Sequence, residues 1–110
     1  MLFDVRTLAV GDWSVVSVVG DLDVATMPTL RQHLDRVQDD RGAAPVALDL
    51  HGVDYVDPVT LGILVAGSLR AGRRGGRFAV VCAPGSARDL LAETGIDRIV
   101  PVVEDRADLA

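Results

Sequence analysis

Val56-Asp57-Pro58-Val59-Thr60-Leu61-Gly62-Ile63-Leu64 decides how this chain is read. The segment follows a strand-like run and opens a helix. Asp57 is suited to the N-cap, because its carboxylate can accept from the free N–H groups of the first turn. Pro58 suits the first helical position, where a missing N–H costs nothing. A helix start of this kind is a seat for an anion, or for a side chain that can become one. Pro58 and Val59 carry no hydroxyl, so Thr60 is the one candidate phosphoacceptor in that turn.

Working outward, the pattern predicts strands over 2–10 and 13–19, with Gly11-Asp12 as the tight turn between them. Such a short link makes the pair antiparallel. Gly20-Asp21-Leu22-Asp23 reads as a loop, and Thr26 as the cap of a helix over 27–38. Residues 45–50 form a third strand, and 51–56 carry the chain into the Asp57 cap. A helix over 58–71 follows, closed by Gly72, Gly75 and Gly76. A continuous apolar run at 78–82 reads as a strand covered on both faces. Ser86 caps a short helix to about Thr94, and Val100–Val103 is an edge strand marked by Pro101. Residues 104–110 open another helix that the sequence does not complete. The order β-β-α-β-α-β-α-β predicts one α/β domain over 1–110 with a mixed, mostly parallel sheet of four to five strands.

The helix after Asp57 is apolar on two sides. Leu61, Leu64, Val65, Ser68 and Leu69 share one face at helical spacing, expected to pack on the sheet. Val59, Gly62, Ile63 and Ala66 share another, where a surface helix should be polar. Either a neighbouring element covers that second face or a partner protein docks there. Gly62 and Gly67 are costly inside a helix and imply close approach of other atoms.

Composition narrows the function. The chain is 49% apolar and 25% charged, with a net charge of -5 and arginine as its only strongly basic residue type. An acidic balance argues against a nucleic-acid surface. Arg70, Arg73, Arg74 and Arg77 form the one tight basic cluster, read as a helix C-terminus and a solvated loop. No signal peptide or transmembrane run is visible, and a single cysteine gives no internal disulfide, so a cytoplasmic protein with no direct membrane insertion is expected. Cys82 reads as a small buried thiol. His33 reads as a solvated helix residue, and no nucleophile lies near it or His51 in sequence. There is no Gly-rich phosphate motif, no metal-ligand spacing and no cofactor signature. Asp21, Asp23, Asp54 and Asp57 gather at one end of the sheet, where caps and turns account for them. No enzyme is indicated.

The ordered set of motifs resembles the STAS domains, which include the bacterial anti-sigma factor antagonists. Gly20-Asp21-Leu22-Asp23 with Thr26 is similar to the family's Gly-Glu-Leu-Asp loop. Asp49-Leu50 and Val53–Val56 fit its third strand. Asp57-Pro58-Val59-Thr60-Leu61-Gly62 occupies the place of its Asp-Ser-Ser/Thr-Gly-Leu-Gly signature. Gly75-Gly76 and Leu90 through Ile99 follow its usual course. The resemblance implies helices packed mainly on one side of the sheet and a partner-switching role. In that role the antagonist binds an anti-sigma factor of the serine-kinase type and frees a sigma factor. The kinase phosphorylates the hydroxyl directly after the signature Asp, adding up to about two negative charges and breaking the complex. Here that position is Pro58. Three readings stay open: the switch is lost, Thr60 is a displaced acceptor, or the domain docks elsewhere. The expected partner-binding residues are Asp21, Leu22, Asp23, Asp57, Pro58, Val59, Thr60, Gly62, Ile63 and Ala66. STAS domains also serve as small subunits of phospholipid-transport ABC systems, docked on the ATPase, and this is the alternative function.

Overall fold

The computed structural model describes residues 2–109. Strands β1 (Asp4–Val10), β2 (Trp13–Leu22), β3 (Val46–Val56), β4 (Phe78–Val81) and β5 (Val102–Val103) form one sheet in that order. β1 runs antiparallel to β2, and every later pairing is parallel. Helices α1 (Met27–Arg41), α2 (Gly62–Arg73) and α3 (Ser86–Glu93) connect the parallel strands. The mixed, mostly parallel α/β architecture expected from the element order is therefore present.

The central strands are apolar on both sides because both faces are covered. On one face Val16, Val18, Leu48, Leu50, Phe78 and Val80 pack against Leu30, Leu34, Ile63, Leu64 and Leu91 from the three helices. On the other, Trp13, Val15, Ala47, Ala79 and Val81 meet Leu109 from a short 3-10 turn at Arg106–Leu109. That turn stands where the sequence suggested the start of a longer helix. It is anchored by Arg106, whose Nε donates to the buried carboxylate of Asp49 at 2.5 Å. All three helices thus sit on one side, and a single turn of chain guards the other.

Two strands run further than the sequence indicates. β3 continues through His51–Val56, and β2 continues through Gly20-Asp21-Leu22 beside it, pairing Asp21 with Tyr55 and Leu22 with Val56. Gly20 and Asp21 look like turn residues, but long-range pairing holds them extended. The register shifts at 17/19 and again at 20/21. Gly20 sits at φ 111°, and a Cβ there would fall 2.3 Å from the Leu2 carbonyl oxygen. Only glycine lets the strand bend at that point.

Candidate partner-docking site

The site is built where β2 and β3 end. The Asp57 N–H donates to the Leu22 carbonyl at 2.9 Å, so the chain leaving β3 lies beside the chain leaving β2. Each exit is then tied by one carboxylate. Asp23 Oδ1 accepts from the N–H groups of Ala25 and Thr26, both at 3.0 Å. Asp57 Oδ1 accepts from the Val59 N–H at 3.1 Å. Local side-chain to backbone bonds of this sort are what Asp offers a turn. Asp57 is the cap that the sequence indicates. Thr26 also stands at the N-cap of α1, as expected, but its hydroxyl donates back to the Asp21 carbonyl at 2.7 Å and makes no bond into the first turn.

The segment after Asp57 is a 3-10 turn, Pro58–Leu61, and the α-helix begins only at Gly62. This changes which side chains face out. A 3-10 turn advances its side chains by more degrees per residue than an α-turn, so the phase read from uniform helical spacing is wrong downstream. Ile63, expected on the outer face, is 5% exposed and belongs to the core. Leu69, expected inside, is 55% exposed. Gly67 explains the sense of the rotation. A Cβ there would meet the Phe78 ring at 2.9 Å, so the bare backbone draws that side of α2 onto the sheet. Gly62 has no atom within 4 Å of its Cβ position, so its cost has no packing reason.

Two more of the expected contact residues need correction. Leu22 is fully buried, because it is a strand residue inside β2 and not a loop residue. Thr60 is also fully buried, and its hydroxyl donates to the Asp57 carbonyl at 2.7 Å. A hydroxyl so enclosed is closed to a kinase while the turn is folded. Ala66 is half-buried, as are three of the aspartates that stay at the surface. The remaining residues do come together at the surface: Asp21, Asp23 and Asp57 are half-buried, and Pro58, Val59 and Gly62 are exposed.

Sequence reasoning missed two residues at this end. Val24 and Tyr55 are 60% and 56% exposed, beside Val59 at 69%. A valine directly after Asp23, and an aromatic directly after Asp54, were the available signals. A groove of about 330 Å³ lies next to them between the end of β3 and α3, lined by Tyr55, Val56, Pro58, Ala87 and Leu90. The two strand exits thus carry both carboxylates and exposed apolar side chains, which is the make-up of a protein contact surface.

The whole chain falls into a known pattern. A family model described as Mlab, STAS domain, matches residues 6–103. The chain belongs to the STAS family. Among solved structures, an anti-sigma factor antagonist from Mycobacterium paratuberculosis is 30% identical, with a TM-score of 0.87 over 97% of this chain and 90% of its own. An anti-sigma-factor antagonist (STAS) domain protein from Planctomyces limnophilus is 19% identical, with a TM-score of 0.84 over 99% and 96%. The Bacillus cell fate determinant SpoIIAA in its phosphorylated form is 11% identical, with a TM-score of 0.70 over 98% and 96%. These last two share the fold. No curated protein matches the sequence significantly.

Other residues singled out in the sequence have structural places. Cys82 is buried just beyond β4, and that burial raises its thiol above the ordinary range. His33 is not simply solvated: its Nε2 lies 2.5 Å from Thr7 Oγ1, joining α1 to β1. Burial, then the nearby Arg36, lowers its pKa. In the arginine cluster, Arg70 pairs with Asp35 and Arg74 with Asp39, fixing α2 to α1. Among the described residues no three His, Cys, Asp or Glu side chains are grouped to hold a metal ion, and no helix is long and apolar enough to cross a membrane.

Proposed function

We propose that the protein is an anti-sigma factor antagonist that binds a serine-kinase-type anti-sigma factor through Asp23, Val24, Tyr55, Asp57, Pro58 and Val59. The observation that carries this reading is the Asp57–Leu22 backbone bond, which sets the two loops side by side with Val24 and Val59 both uncovered. Likeness to the mycobacterial antagonist supports the class of partner. The complex is not switched by phosphorylation in the first turn. Pro58 and Val59 have no hydroxyl to modify, and the Thr60 hydroxyl is buried against Asp57. The antagonist then stays competent to bind as long as it is present, and control falls to its amount. Incubation with the kinase-type partner and ATP, followed by mass spectrometry, tests this. The expected spectrum is of unmodified protein, and phosphothreonine at 60 would contradict it.

A second reading is favoured by the same missing acceptor. A STAS subunit docked permanently on the ATPase of a phospholipid-transport ABC system needs no covalent switch. Affinity capture from the native host separates the two: an anti-sigma kinase in the eluate supports the first, and an ABC ATPase the second.

A further inference from the structure

A cavity of about 500 Å³ lies at the end of the sheet opposite Asp57, where the parallel strands begin. Trp13 and Phe78, which open β2 and β4, line it together with Ser68, Gly72, Arg77 and Leu109. It exists because β5 is too short. β5 pairs only with Val80 and Val81, so the first half of β4 keeps an open edge.

The open edge has a definite hydrogen-bonding character. Val80 N–H donates to the Pro101 carbonyl, and Cys82 N–H donates to the Val103 carbonyl. Even-numbered residues of β4 therefore direct their backbone groups toward β5. Phe78 is the next in that series. Continuing the ladder, its N–H would need the Ile99 carbonyl, a bond that is not made. Its carbonyl would need an N–H at position 101, and Pro101 has none. Both backbone groups of Phe78 thus lack a protein partner among the described residues. They open toward the cavity as a donor and an acceptor on one residue, the pair that an added strand satisfies.

Charge adds a second constraint. The Arg77 guanidinium sits over the Trp13 ring, 5.1 Å from its centroid. It makes no ion pair with a carboxylate among the described residues. Stacked this way, it holds a cation on the wall of a mostly apolar cavity. Asp108 lies on the cavity wall, so the site suits one carboxylate at Arg77 and disfavours a second beside it.

We infer that this notch receives an extended peptide segment of a partner protein. Its backbone pairs with the N–H and carbonyl of Phe78. One apolar side chain enters beside Trp13 and Leu109, on the face opposite the Phe78 ring, and a neighbouring carboxylate meets Arg77. The surface is separate from the Asp57 end, so a partner held there leaves this one free.

Trp13 is the single tryptophan and reports directly on the cavity. The full chain is titrated with acetyl-Val-Leu-Val-Asp-amide while Trp13 emission is followed. A saturable change is expected. The fully backbone-N-methylated analogue should bind at least about tenfold more weakly, having lost its donors to the edge. Replacing the peptide Asp by Asn should weaken binding about fivefold to the native chain and leave binding to Arg77→Gln unchanged. No saturable response at millimolar peptide, equal binding of the methylated analogue, or an Asp preference that survives Arg77→Gln would overturn the proposal. A hydrophobic acid without a peptide backbone, octanoate, should not compete; full competition by it would identify a small-molecule pocket instead. Capture of the anti-sigma factor or ATPase at the Asp57 end reads out separately from all of these.

Discussion

The two ends of the parallel sheet are finished differently. At the end where strands stop, Asp23 and Asp57 tie down backbone N–H groups within three residues of themselves. Those short bonds complete the turns without any side-chain cover, so Val24, Tyr55 and Val59 are left facing outward. At the end where strands start, Asp105 and Asp108 make short bonds of the same kind, to the N–H groups of Ala107 and Asp105, but these serve only the C-terminal turn. Trp13 and Phe78 are buried, and the closure depends on residues far apart in sequence: Arg77 over Trp13, and Leu109 returning from the C-terminal turn. A locally bonded end can present apolar surface to a partner and remain ordered. An end closed by distant packing leaves a notch wherever one strand is short.

Beneath both ends the core should behave alike, and the largest effects test that. Ile63→Asp places a carboxylate in the packed layer under α2, so urea unfolding should show a loss of about 4 kcal/mol or more, or no folded protein at all. Near-native stability would return Ile63 to the surface. Phe78→Ala empties the position that Gly67 is shaped to receive, and should cost about 3 kcal/mol by the same measurement. Gly67→Ala combined with it should recover part of the loss, since the added methyl then enters vacated space; no recovery would show that the pair does not set the depth of α2.

The carboxylate-tied end should respond more gently. Asp57→Ala removes one bond to the Val59 N–H and should cost about 1 kcal/mol, with the fold retained. A much larger loss would mean that Asp57 holds more than its own turn. The smallest effect lies away from both ends, at His33. Its pKa is lowered from the ordinary 6.5, so folding favours the neutral ring. Its stability contribution is complete above that value and is lost as pH falls through the folded pKa. His33→Gln should flatten the acid side of the stability curve slightly, and an unchanged curve would remove His33 from the acid response.

What the sequence revealed follows the range of the interactions involved. The Asp57 cap was legible because a cap is decided by a few adjacent residues. So were the order of elements along the chain, the edge position at Pro101 and the close approach at Gly67. The phase of α2 was not, since it depends on a 3-10 turn and on a ring brought from β4, and Ile63 was assigned to the wrong side for that reason. The ends of β2 and β3 were missed because Gly20-Asp21 has turn composition while its pairing with Tyr55 lies some thirty residues away in the chain. Leu22 became buried by the same pairing. Thr60 was the only hydroxyl in its turn, yet nothing local shows that the turn folds it inward.

The central claim is that the surface at Val59 docks the partner and has no covalent switch. Binding of the captured anti-sigma kinase to the native chain and to Val59→Asp, with and without ATP, tests it in one titration series. Native affinity is predicted to be the same with ATP as without, and Val59→Asp to bind at least about tenfold more weakly at unchanged stability. Equal binding by Val59→Asp, or release of the native chain on adding ATP, would contradict it.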